Sequence, residues 1–271
     1  MNRQQLEAYC ARIGYDGPLD PTIETLRALH QLHPAAITFE NLDVLLGRGI
    51  DIAPDVLEAK LVVRRRGGYC FEQNGLFKRV LLAAGFQVEG LSARVLWGIP
   101  ADSPPRPMTH MALKVTIDGI PWLADVGFGG CVPTAPLRMD ISDPQPTPHE
   151  PFRVLREDGW FRAEVLIGGA WSPLYLACSV PVLDADYKLG NWYVSTHPQS
   201  RFRENLIVAR TTREARYALF NGRYTVRRSG AEPEQRRLDA DGLETILGGI
   251  FGLSVEPEWR PVLEHVAALP D

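Results

Sequence analysis

The chain has 271 residues, of which 45% are hydrophobic and 23% charged, with a formal net charge of -4. This length suits one large domain or two to three smaller ones, and the composition is that of a globular chain, not a disordered one. There is no global basic field for nucleic acid, and no apolar run approaches the roughly 18–20 residues of a membrane helix. No apolar signal segment follows Met1-Asn2-Arg3-Gln4-Gln5, so a cytoplasmic protein with no nucleic-acid and no membrane partner is expected. The four cysteines, Cys10, Cys70, Cys131 and Cys178, are scattered and form no C-x-x-C pair, which argues against both a zinc site and a disulfide framework.

The first third reads as helical. Leu6, Tyr9, Cys10 and Ile13 recur at helical spacing behind Asn2, a predicted cap, and Cys10 belongs to that apolar stripe. Asp20-Pro21 predicts a second helix start, a cap followed by proline at the first helical position, ahead of Ile23, Leu26, Leu29 and His33. A third helix is expected from near Asp55 through Leu57 and Leu61. After Gly67-Gly68-Tyr69-Cys70, the spacing of Phe77, Leu81, Leu82 and Ala84-Gly85 predicts a helix ending at glycine, with Cys70 at or near its N-terminus.

From about Val88 the period changes to two. Leu91, Ala93, Val95 and Trp97 alternate with more polar neighbours, as do Met111, Leu113, Val115 and Ile117. Further strand-like runs at 152–155, 160–167 and 174–177 suggest an antiparallel sheet or small barrel. Residues 100–107 and 140–151 are proline-rich loops. In the last third, Asn221-Gly222 is a strong hairpin signal between two short strands, and Leu243, Ile246, Leu247 and Ile250 return to helical spacing.

One cysteine has the surroundings of a nucleophile. A helix N-terminus and a nearby imidazolium both stabilise a thiolate, and Gly67-Gly68 would permit unusual backbone angles and close approach of a substrate to Cys70. Backbone amides around Cys70 could then face a developing oxyanion. Alone, the pattern fits a small buried residue better. His110 and Asp125 add to it. They flank the two-residue turn Asp118-Gly119, and counting back from an Ile117–Ile120 pair makes them diagonal neighbours on one face, within reach of each other. In this register Pro121 opposes Thr116 at a site where its missing N–H costs nothing. His30 and His33 fall in a helical segment, His149 in a loop and His265 near the C-terminus, while His197 follows Trp192-Tyr193 and could line a pocket.

These motifs resemble the arylamine N-acetyltransferases. The likeness is carried by Thr38-Phe39-Glu40-Asn41-Leu42-Asp43, by Arg66-Gly67-Gly68-Tyr69-Cys70-Phe71-Glu72-Gln73-Asn74-Gly75, by Thr109-His110, by Asp125-Val126-Gly127-Phe128-Gly129-Gly130, and by Trp192-Tyr193-Val194-Ser195-Thr196-His197-Pro198 through Ser200-Arg201-Phe202. The resemblance implies an α+β fold with a cysteine-protease-like Cys-His-Asp site. Its three parts would be a helical bundle (1–84) carrying the nucleophile, a central antiparallel β-barrel (85–190) carrying histidine and aspartate, and a C-terminal α/β lid (191–271). It implies Cys70, His110 and Asp125 as the catalytic residues and Phe39, Phe128 and Phe202 as acceptor-pocket residues. Thr109, Gly127 and Gly129 would lie near the coenzyme, and Arg66 and Glu72 would form supporting ion pairs. It further implies acetyl-coenzyme A as co-substrate, no tightly bound cofactor and no metal, and small aromatic amines or hydrazines as acceptors. The C-terminal end is short for the family, which implies a more open coenzyme cleft. A hydrolase using the same three residues, or a binding module that keeps the fold without the chemistry, are the alternatives.

Overall fold

The computed structural model describes residues 1–180 and 182–270; Pro181 and Asp271, which fall in the second and third expected parts, lie outside the described residues. Helix α1 (Arg3–Ile13) starts as expected. The Asn2 side chain accepts from Gln5 N at 2.9 Å, and the Gln5 side chain accepts from Asn2 N at 2.7 Å. Helix α2 (Ile23–Ala36) begins later than Asp20-Pro21 predicts. Its cap is Thr22, whose hydroxyl reaches Thr25 N at 3.3 Å, and Pro21 is left in the preceding turn. Two short helices follow, α3 (Leu42–Leu45) and α4 (Pro54–Glu58), the latter running on as a π-helical turn, Ala59–Val63. Helix α5 (Cys70–Ala83) buries Leu76, Phe77, Val80 and Leu81 in an apolar core shared with residues of α1 and α2 and with Met111, Leu113 and Val115.

Seven antiparallel strands come next: β1 (Gln87–Val95), β2 (His110–Ile117), β3 (Ile120–Ala124), β4 (Leu137–Arg138), β5 (Phe152–Glu157), β6 (Trp160–Ile167) and β7 (Ala170–Cys178). They form one sheet in the order β4-β3-β2-β1-β7-β6-β5 that curls into a nearly closed barrel. Gln145 bridges the two edge strands. Its main chain exchanges two hydrogen bonds with Phe152 of β5, at 2.7 and 3.0 Å, and its side-chain amide exchanges two with the main chain of Arg138 in β4, at 2.7 and 2.9 Å. A primary amide has the donor and acceptor of a peptide group, so one side chain stands in for a missing strand.

Helix α6 (Asp184–Thr196) runs across the expected 190/191 boundary. Strands β8 (Ile207–Thr211), β9 (Arg216–Phe220), β10 (Arg223–Arg227) and β11 (Glu234–Arg237) make a second antiparallel sheet, with Asn221-Gly222 turning β9 into β10 as predicted. Helices α7 (Ala240–Gly249) and α8 (Arg260–Ala268) cover it with their own apolar core around Trp259. No described helix is long and apolar enough to cross a membrane.

One segment stitches these parts together at the site. Phe39 exchanges hydrogen bonds with Ala209 of β8 at 2.8 and 2.9 Å. On its other side, Gly68 N donates to Thr38 O at 3.2 Å and Glu40 N donates to Gly68 O at 3.1 Å. The loop before Cys70 is thus tied to the C-terminal sheet through Phe39 by isolated bridges.

Candidate active site

Cys70 is the first residue of α5, and Tyr69, in extended conformation, precedes it. Glu72 Oε2 accepts from Tyr69 N at 2.9 Å, so the Cys70 and Phe71 amides remain at the helix end without intrahelical partners. Glu72 Oε1 holds Lys60 Nζ at 2.7 Å, and Lys60 also reaches Asp43 at 2.6 Å. Arg66 binds Glu40 at 2.9 Å, Asp43 at 3.3 Å and Glu256 at 3.2 Å, and its guanidinium lies 4.8 Å from the Trp259 ring centre. Arg66 and Glu72 are therefore ion-paired beside Cys70, each to other partners.

The two glycines act differently from the expectation. Neither adopts a positive φ. They are required by packing: a Cβ on Gly67 would stand 2.1 Å from Thr38 O, and one on Gly68 would stand 2.6 Å from the Glu72 carboxylate.

The hairpin register is as counted, with Ile117 opposite Ile120 and Thr116 opposite Pro121, up to Leu113 opposite Ala124. Asp118 and Gly119 both have positive φ, 51° and 77°, as a tight primed turn needs. Beyond Ala124 the chain leaves the ladder, and side chains take over its amides. Asp125 N donates to His30 Nε2 at 3.1 Å, Val126 N donates to Asn74 Oδ1 at 3.0 Å, and Gly127 N donates to Asp125 Oδ1 at 2.9 Å. The Asp125 carboxylate also accepts from Asn74 Nδ2 at 2.8 Å and holds His110 Nε2 at 2.7 Å. With Nε2 engaged by Asp125, Nδ1 is the ring nitrogen of His110 left for another partner. Cys70 Sγ also lies 3.6 Å from Thr109 O.

Cys70, His110 and Asp125 are thus brought together, with 5%, 2% and 0% of their surfaces exposed. Burial alone would lower the His110 pKa, but the Asp125 charge and hydrogen bond, with Cys70 adding to them, carry it from 6.5 up to about 10. Burial pushes the Asp125 carboxyl up, and His110, Asn74 and Gly127 N together hold it below its ordinary value. The arrangement can take a proton from a thiol and keep the resulting imidazolium beside a carboxylate.

A family model described as N-acetyltransferase matches residues 22–260. An arylamine N-acetyltransferase of Mycolicibacterium smegmatis is 42% identical over 271 residues, 96% of this chain and 98% of that protein. The chain belongs to the arylamine N-acetyltransferase family. It is therefore an acyltransferase. The Mycobacterium tuberculosis arylamine N-acetyltransferase structure superposes with a TM-score of 0.92 at 40% identity, covering 96% of this chain and 99% of that one. The Mycobacterium marinum enzyme, solved in complex with CoA, gives 0.91 at 39% identity over 97% and 98%.

Phe128 packs edge-on to His110 at 5.1 Å, while Phe39 and Phe202 pack on each other at 6.2 Å and Phe202 on Tyr69 at 5.9 Å. Gly129 has φ +70° and faces the Phe39 ring. Gly127 is buried beneath Cys70, where a Cβ would stand 2.9 Å from Cys70 Cα. His197 stacks on Tyr193 at 4.4 Å, and no contact joins it to Cys70, His110 or Asp125.

Sequence reading missed three supports. Asn74 lies four residues after Cys70, one turn along the same helix face, a spacing that could have marked it. Tyr175, whose ring packs 4.8 Å from His110, reaches the site only because β7 pairs with β1, and nothing local signals that. His30 carried no signal beyond its place on an apolar helix face.

Proposed function

We propose that this chain moves an acetyl group from acetyl-coenzyme A through an acetyl-Cys70 intermediate to aromatic amines and hydrazines. The observation that carries the reading is the buried line from Cys70 through His110 to Asp125. In the first half-reaction His110 Nδ1 takes the thiol proton, and Cys70 Sγ attacks the thioester carbonyl. The Cys70 amide at the start of α5 faces the developing oxyanion, aided by the positive end of the helix. Collapse breaks the carbonyl–sulfur bond of the donor, and the His110 proton leaves with coenzyme A. In the second half-reaction the amine attacks the acetyl carbon, His110 accepts its proton, and Cys70 departs to regain it. Asp125 holds the ring orientation and the imidazolium charge throughout.

Phe39, Phe128 and Phe202 form the acceptor side. Thr109 and Gly129 border the coenzyme side, and Gly127 serves it from below by letting the chain pass under Cys70. The setting is cytoplasmic. Wild-type protein given acetyl-coenzyme A without an amine should gain one acetyl mass on Cys70, and Cys70→Ala should gain none. Initial rates should give parallel double-reciprocal lines. Acetate release with no transfer to any amine would assign a hydrolase instead, and intersecting lines would remove the covalent intermediate.

A further inference from the structure

Helix α2 places two fully buried histidines, His30 and His33, one turn apart, and the chemistry above uses neither. Each has one possible proton assignment. His33 Nδ1 lies 2.8 Å from the Tyr9 hydroxyl and Nε2 lies 2.7 Å from Gln73 Oε1. The Gln73 oxygen can only accept, so His33 is protonated on Nε2 and takes the Tyr9 proton on Nδ1. Gln73 then spends its amide protons on Thr38 O at 2.9 Å and Gly68 O at 3.0 Å, the carbonyls of the loop that sets Cys70.

His30 has the opposite tautomer. Its Nε2 accepts from Asp125 N, so its proton sits on Nδ1, which is buried with no hydrogen-bond partner. An orphaned buried N–H is unfavourable, and the fold keeps it in exchange for the bond at Nε2. That bond falls where Asp125 has just left the β3 ladder and its amide has no strand partner.

We propose that His30 is a positioning residue for acyl transfer: as a neutral Nδ1–H imidazole, it fixes the main chain of Asp125 and through it the angle between Asp125 and His110. This rests on the reading of Asp125 and His110 given above. The titratable groups facing His30 are Asp125 and His33, and Phe77 covers its ring edge-on at 6.0 Å. Burial keeps it neutral, lowering its pKa to about 4 against the pull of Asp125.

The test compares His30→Leu with His30→Gln, whose side-chain oxygen can reach the position of Nε2. The readout is the pre-steady-state rate of Cys70 acetylation by acetyl-coenzyme A as a function of pH, on protein shown folded by near-UV circular dichroism. His30→Leu should lose ten- to a hundredfold in rate and shift the pH profile assigned to His110, with KM changed less than twofold. His30→Gln should recover most of the rate and restore the profile. A Leu variant that folds with rate and profile unchanged overturns the proposal. Should His30→Leu not fold, nitrogen-15 NMR of the wild-type imidazoles decides: a proton on His30 Nδ1 is expected, and one on Nε2 overturns it. Absence of any acetyl-cysteine in wild type would instead refute the covalent mechanism and leave the tautomer measurement standing.

Discussion

His110 and Asp125 set opposite pH dependences on the fold. The His110 pKa is raised from 6.5 to about 10, so its stabilising share is full below 6.5 and is lost as pH rises towards 10. The Asp125 pKa is lowered from 3.8, so its share is present above that value and is lost as pH falls through the folded-state value. The stability difference between wild type and His110→Gln should therefore peak between about pH 4 and 6.5 and shrink steadily above that range. Urea unfolding at about pH 5, 7 and 9 measures it, and a difference that is flat across that series would contradict the ion pair. The closeness of His110 and Asp125 was legible in the sequence because a hairpin is a countable local pattern, whereas the glycines left Cys70 open and only the family resemblance joined it to the pair. Asn74 and His30 were not legible, because each accepts from a main-chain amide whose need for an acceptor appears only where the strand ends.

Among the elements, the first turn of α5 and the chain at Gly127 touch at main-chain distance. A methyl group at residue 127 would lie 2.9 Å from Cys70 Cα and 2.8 Å from Asn74 Nδ2. Neither can yield without moving the helix start. Gly127→Ala should cost about 1–3 kcal/mol of stability and slow Cys70 acetylation at least tenfold, read by urea melts and intact-mass time courses. An unchanged acetylation rate would show that the helix start tolerates displacement. Hairpins and amphipathic helices were readable from period and turn residues. The start of α2 was misread because Asp and Thr both cap, and only the offset to the Thr25 amide decides between them. The barrel was expected from the strand pattern, but not the means of its closure, since Gln145 sits in a proline-rich loop and reaches β4 through its side chain.

Across the whole molecule, Arg66 joins the loop before Cys70 to the entrance of α3 through Glu40 and to the C-terminal segment through Glu256 and Trp259. The Glu40 side chain is 0% exposed, so removing Arg66 strands a buried charge. Arg66→Met should cost about 3–5 kcal/mol. Arg48 serves the same cluster, with its side chain 39% exposed, and Arg48→Met should cost less than about 1 kcal/mol. Parallel denaturation curves of the two variants decide it; equal losses would mean the cluster is not held by burial.

The tight turn at Asp118-Gly119 has a consequence for the order in which the protein matures. It brings His110 and Asp125 together across only 15 positions of chain, whereas Cys70 meets Thr109 across 39 and Asn74 meets Asp125 across 51. Short loops close first, because loop closure costs more entropy as the loop lengthens. The His110–Asp125 pair can thus assemble on a newly made hairpin before Cys70 is brought to it. Packing of the helix onto the sheet brings the third residue in last, so a half-made molecule lacks the full set that the proposed chemistry needs.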